Sequence, residues 1–207
     1  MKPDATLASR VDLLFPVDGH SVPRDHRALL AAAVGERLTW LGSEPGTGVL
    51  DLNLVAGDGV LALLSRRTRM TLRLARAQVD TAAAVLTGTT LDLGGHAIVL
   101  GPPARRELMP YRTLYAHFVA ACDGGDEAAF MAAVENELRD IGATCRPVCG
   151  LRQVLRGTDG PLAGYSLMLD GLAPADARRV LEHGLGAHGR LGGGLFVPHK
   201  SAAAVGA

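Results

Sequence analysis

Six glycines stand in the eleven residues from Gly184 to Gly194, of twenty-six in the chain, and no other stretch so narrows what this sequence can become. Glycine adds nothing to a core and loses the most backbone entropy on ordering. A cluster this dense therefore marks backbone that turns sharply or lies directly against a ligand. His188 and Arg190 lie inside it. Bare amide groups beside an arginine suit phosphate oxygens, whether of a nucleotide or of a polynucleotide. Gly184, Gly186, His188, Gly189, Arg190, Gly192, Gly193 and Gly194 are the candidate contacts. The alternative is a structural turn whose glycines serve geometry alone. The string Gly184-x-Gly186-x-x-Gly189 also matches a dinucleotide fingerprint, but that motif needs a preceding strand, a following helix and an acid about twenty residues on. Here a helix precedes it and the chain stops at Ala207.

Charge patterning points the same way as the glycines. Twenty-one bases balance twenty-one acids, so net charge argues for no partner. Nineteen of the bases are arginine, and five fall between Arg66 and Arg76 in a window without an acid. Arg66, Arg67, Arg69 and Arg73 are the candidate phosphate contacts there, because guanidinium forks onto phosphate oxygens. A solvated strand face is the competing explanation. Cys122, Cys145 and Cys149 form neither a disulfide set nor a four-ligand zinc pattern, and structural thiols are expected, with no metal and no cofactor. No apolar run approaches membrane-spanning length and no apolar segment follows the first basic residues, so a cytoplasmic protein without a membrane partner is expected.

Periodicity divides the chain in two. Val11 to Val17 reads as a buried strand, and the loop after it ends at Asp25, which can cap a helix with His26 as its first residue and Leu30, Val34, Leu38 and Leu41 as its seam. Val49 to Val55 alternates as a strand. Val60 to Leu64 and Arg69 to Leu74 follow, the latter with Arg69, Thr71 and Arg73 on one face. A helix from Ala75 to Leu86 and a hairpin of Thr90 to Leu93 with Ala97 to Leu100 complete the first half. In the second half Leu114 to Ala121 is a strand, and Asp126 caps a helix bearing Phe130, Val134, Leu138 and Ile141. Val148 to Arg156 and Ala163 to Leu169 pair, Pro174 opens a helix to His183, and Leu195 to Val197 is a last strand. The order is βαββαβ, the ferredoxin-like unit. An α+β chain of two tandem ferredoxin-like domains is expected, residues 1–103 and 114–200, joined by a linker over 104–113.

A glycine-rich segment after the last helix of a second ferredoxin-like domain resembles the signature of the RAMP superfamily of CRISPR-associated RNA-binding proteins. The form Gly184-Leu-Gly186 with Arg190, Gly192, Gly194 and Phe196 is similar to that of the endoribonucleases that cut precursor CRISPR RNA. The stretch Phe15-Pro-Val-x-Gly19, then Pro23-x-Asp25-His26, resembles the start of their myxococcal-type subgroup. The resemblance runs from about Val11 to Pro198. It implies a metal-independent nuclease acting on CRISPR repeat RNA, in which a histidine near the first helix assists attack of the 2′-hydroxyl on phosphorus and leaves a 2′,3′-cyclic phosphate and a 5′-hydroxyl. The matching position is His26, and the mature crRNA stays bound in some complexes with other subunits of an effector.

Histidine also suits this chemistry on its own account. Transesterification removes one proton and delivers another, and imidazole populates both forms near neutrality. His20 is the second candidate acid or base. His96 and His117, in strand contexts, are expected to be structural; His183 complements a helix dipole, and His199 sits in the tail. Two other functions fit the fold: a non-catalytic RNA-binding subunit of such a complex, and a ferredoxin-like interaction module without RNA.

Overall fold

Apolar residues recur every second position along β1 (Arg10–Asp18), and Val11, Leu13, Phe15 and Val17 all point into the core. This strand is the centre of the first sheet in the computed structural model, which describes residues 8–55, 59–121, 126–157 and 160–199. The first half then runs β2 (Ser21–Pro23), α1 (Arg27–Gly35), β3 (Gly48–Leu50), β4 (Leu61–Leu63), β5 (Arg69–Ala75), α2 (Val79–Leu86), β6 (Thr90–Asp92), β7 (Ala97–Leu100) and β8 (Ala104–Glu107). The second half is β9 (Leu114–Ala120), α3 (Glu127–Asp140), β10 (Arg146–Gly157), β11 (Gly160–Asp170), α4 (Pro174–His183) and β12 (Val197–Pro198).

The two sheets share one topology. The first is ordered β3-β5-β1-β7-β6 and the second β10-β11-β9-β12, all antiparallel. In each, the first strand of the unit lies between its third and fourth, as in a ferredoxin-like βαββαβ fold. Helices cover one face of each sheet. Leu30, Val34, Ala82 and Leu86 close the first core, and Phe130, Val134, Leu138, Ala177 and Val180 close the second.

Several local expectations need correction. Asp25 does not cap α1; His26 is the N-cap residue, outside the helix, and its side chain makes no cap bond. The helix ends at Gly35, so Leu38 and Leu41 reach the core from the turns beyond it. The loop before α1 contains β2, paired with β4. The expected strand over 49–55 shortens to β3 and an isolated bridge at Val55, and α2 is preceded by a 3-10 turn at Arg76–Gln78. The segment read as a linker begins as β8, which pairs with β1. β7 and β8 lie end to end along β1, interrupted by Gly101-Pro102-Pro103, because proline has no amide to give to a ladder.

The second half follows its sequence signals closely. Asp126 accepts a hydrogen bond from the Ala129 amide at 3.1 Å, and Pro174 occupies the first turn of α4. Asp126→Ala is expected to lower stability by about 1 kcal/mol, the usual worth of such a cap; a urea titration monitored by circular dichroism measures it. Cys145 and Cys149 are free, and burial pushes the Cys145 thiol up to about 11, so it stays protonated near neutrality. Cys122 lies outside the described residues. No helix among them is long and apolar enough to cross a membrane.

Candidate active site

The glycine-rich segment locks the two domains together. Its 3-10 turn, Gly189–Leu191, lies against the edge strand β3. A Cβ on Gly48 would stand 1.7 Å from the Gly189 carbonyl oxygen, so only bare backbone on both sides allows the approach. Gly194 has φ of 66°, and a Cβ there would meet the Leu185 oxygen at 1.6 Å. The Gly194 amide donates to the Phe118 carbonyl at 2.8 Å, tying the segment to β9 as well. Gly184, Gly192, Gly193 and Gly194 are buried in this interlock, while Gly186 and His188 reach the surface. Arg190 turns back onto the first domain, where Nε donates to the Leu41 carbonyl at 3.0 Å and Nη2 to the Thr39 carbonyl at 2.8 Å.

The second arginine group also divides. Arg73 is a candidate phosphate contact on one face of β5, but it is 1% exposed. Its Nε donates to Asp12 Oδ1 at 2.8 Å and its Nη1 to the Phe196 carbonyl at 2.7 Å. Arg73 and Asp12 are register partners on β5 and β1, on the sheet face away from α1 and α2. The second domain covers that face, which turns Arg73 into a structural residue. Arg69 bonds the carbonyls of Arg66 and Thr68. Arg66 and Arg67 are exposed and make no ion pair among the described residues.

A charged cluster forms where α1 begins. The His26 ring, 3% exposed, sets Nδ1 at 3.2 Å from both the Pro23 and the Arg24 carbonyl oxygens. Its Nε2 lies 2.9 Å from Asp51 Oδ1, and Arg27 Nη2 lies 2.7 Å from Asp51 Oδ2. The His26 and Asp51 atoms are close but misaligned, and neither has a formed hydrogen bond among the described residues. Nδ1 faces only acceptors, so it donates. Nε2 then meets the carboxylate favourably only when it carries a proton too, as an imidazolium. Burial pushes the Asp51 carboxyl up, but the His26 ring and the Arg27 charge more than offset this and hold it below the ordinary carboxylate value. His20 is exposed on the β1–β2 turn and joins none of these groups by a hydrogen bond or ion pair among the described residues.

The second domain faces this cluster. Arg156 of β10 pairs with Asp25 at 3.0 Å, bringing the long β10–β11 hairpin to the start of α1. His117 of β9 feels the charges of both Asp51 and Arg27. It is exposed, so it is no buried structural histidine as its strand context suggested. Sequence reasoning missed Asp51, Arg27 and His117 as members of the site. Only the alternation of β9, which sets His117 opposite Leu114, Ala116 and Phe118, carried a signal.

The family model described as Cas6 Crispr matches residues 11–201, nearly the whole of this two-domain arrangement. The chain belongs to the Cas6 family. It is 36% identical over 197 residues to the CRISPR-associated endonuclease Cas6 of Myxococcus xanthus (strain DK1622), across 94% of this chain and 84% of that one. Among solved structures, a CRISPR-associated Cas6 protein superposes with a TM-score of 0.68 at 11% identity, covering 92% of this chain and 99% of its own. One described as an RAMP protein binding different RNA substrates gives 0.62 at 12%, covering 90% and 98%. At these identities the structures share the Cas6 fold with this chain, and the chemistry has to be argued from its own residues.

Proposed function

We propose that this Cas6-family chain is a metal-independent endoribonuclease that cuts CRISPR repeat RNA in the cytoplasm, leaving a 2′,3′-cyclic phosphate and a 5′-hydroxyl. The observation that carries this reading is the His26–Asp51–Arg27 cluster at the start of α1, where Arg156 of the second domain reaches Asp25, in a chain 36% identical to an endonuclease. Asp51 lies in irregular backbone after β3, outside any strand ladder. A phosphodiester docking at the start of α1 competes with it for Arg27 and for His26. His26, released from Asp51 as an imidazolium, donates its proton to the departing 5′-oxygen. Exposed Arg66 and Arg67, with Gly186 and His188 at the surface of the glycine-rich segment, extend the RNA contact and position the strand. The protein stays bound to its crRNA product together with other subunits of an effector complex.

Cleavage of the associated repeat RNA in excess EDTA is the test. Cutting is expected to persist, to stop when the nucleotide before the scissile phosphate is 2′-deoxy, and to yield the two ends named above. Cutting that disappears in EDTA and returns with a divalent ion would overturn the metal-independent mechanism. The coverage of His26 Nε2 by Asp51 favours a second reading, an RNA-binding subunit without cleavage. Tight binding with no cutting at any pH would establish that reading instead.

A further inference from the structure

The sheet of the second domain has an open face, and it carries three rings. β9 buries Leu114, Ala116 and Phe118 on one side and turns Tyr115 and His117 to the other. The Tyr115 and His117 rings meet edge to face, with centroids 4.9 Å apart at 82°. The ring of His199, just after β12, stands 5.4 Å from Tyr115 on its other flank. The backbone under His117 is fixed as well, because Gln153 of β10 donates to its carbonyl at 2.7 Å, across the intervening β11.

His117 is open to solvent, and the strand that holds its carbonyl through Gln153, β10, also carries the Arg156 that pairs with Asp25, the residue before His26. Partial burial lowers the affinity of its ring for a proton. Asp51 works against this, Arg27 and His199 add to it, and the ring ends below the ordinary imidazole value. A neutral imidazole at neutral pH is a base in waiting. The other nearby groups are engaged otherwise: His26 is sealed behind Asp51, and Tyr115 is packed between two imidazoles.

We propose that His117 is a catalytic residue of this chain, the base that takes the proton from the attacking 2′-hydroxyl of the RNA. The proposal rests on the RNA-cleavage reading and deepens it. In the step, the 2′-hydroxyl proton passes to the unprotonated ring nitrogen of His117 and the 2′-oxygen forms a bond to phosphorus. The bond from phosphorus to the 5′-oxygen breaks, and that oxygen keeps the electron pair and takes a proton from the His26 imidazolium. The two histidines thus come from different domains, which the interlock of the glycine-rich segment and the Arg156–Asp25 pair hold together.

The test is single-turnover cleavage of the repeat RNA by His117→Ala and His117→Asn at saturating protein, as a function of pH. The rate is expected to fall about 10²-fold with RNA affinity unchanged. The base must be unprotonated, so the wild-type rate rises with pH through a limb below the ordinary imidazole value of about 6.5; this limb should vanish in both variants. Added imidazole should restore part of the rate to His117→Ala, which a merely structural role would not allow. An unchanged rate and profile would overturn the proposal. So would weaker RNA binding with full cleavage at saturation, which would make His117 an RNA contact. A wild-type protein that binds without cutting would sink this proposal and the cleavage reading together, whereas cutting indifferent to His117 would sink this one alone.

Discussion

His26→Ala is expected to keep its affinity for repeat RNA and to lose cleavage by about 10² to 10⁴-fold, the range for removal of one general acid or base. That range corresponds to about 2.7 to 5.5 kcal/mol of lost transition-state stabilisation. The helix should survive the change, since the His26 side chain makes no cap bond to α1. What disappears is a ring seated on the Pro23 and Arg24 carbonyls, with its other nitrogen 2.9 Å from Asp51. The Arg27 contact to Asp51 remains, so the start of α1 keeps a guanidinium that can exchange its carboxylate for phosphate. Single-turnover rates at saturating protein, beside a binding titration, separate the two effects. His26→Asn, which keeps a polar side chain in the seat, should be as inactive as the alanine variant if proton transfer is the lost function. Undiminished cleavage by either variant would remove His26 from the chemistry.

Whatever depends on neighbours in sequence was legible before the fold. Asp126, Gly142, Pro174 and Gly184 mark the ends of α3 and α4 because capping is decided within a few residues. The alternating cores of β1, β9 and β11 announced themselves in the same way. Asp51 did not, because it sits inside an apolar alternation that reads as continuous strand. The pull of Arg27 and His26, about a full helix earlier, accompanies irregular backbone there. Arg73 reads as a phosphate contact because its sheet face follows from alternation but its cover does not; that cover arrives with Phe196, 123 residues later. The glycines were recognised as close-approach backbone, yet what they approach is mostly the edge of the other domain. A strand context suggests a structural role for His117, although the residue is exposed on the side of β9 opposite Leu114, Ala116 and Phe118. Docking has no periodicity, and it is docking that assembles this site.

Arg73→Met is expected to destabilise the protein by about 3 to 5 kcal/mol, because it strands one partner of a buried charge pair. Asp12 is 2% exposed and receives Arg73 at Oδ1 and Oδ2, at 2.8 and 3.2 Å. Its other cation, Arg106 Nη2 at 2.9 Å, is half in water and holds one oxygen only. Methionine fills much of the space but donates nothing, so the Asp12 carboxylate would keep only Arg106 and the Phe196 carbonyl would lose its Arg73 donor inside the domain interface. The penalty is one of desolvation, so removing the acid as well should recover most of it. Arg73→Met combined with Asp12→Leu should unfold in urea closer to wild type than Arg73→Met alone. The interlock has a second consequence. Loss of Arg73 should loosen the hold of Phe196 on the first sheet and with it the alignment of β12, which pairs directly with Tyr115 beside His117. Cleavage by Arg73→Met should therefore fall even at temperatures where the protein remains folded, while the double variant regains part of it. A single variant within about 1 kcal/mol of wild type would show that Arg106 and solvent carry the Asp12 charge without help.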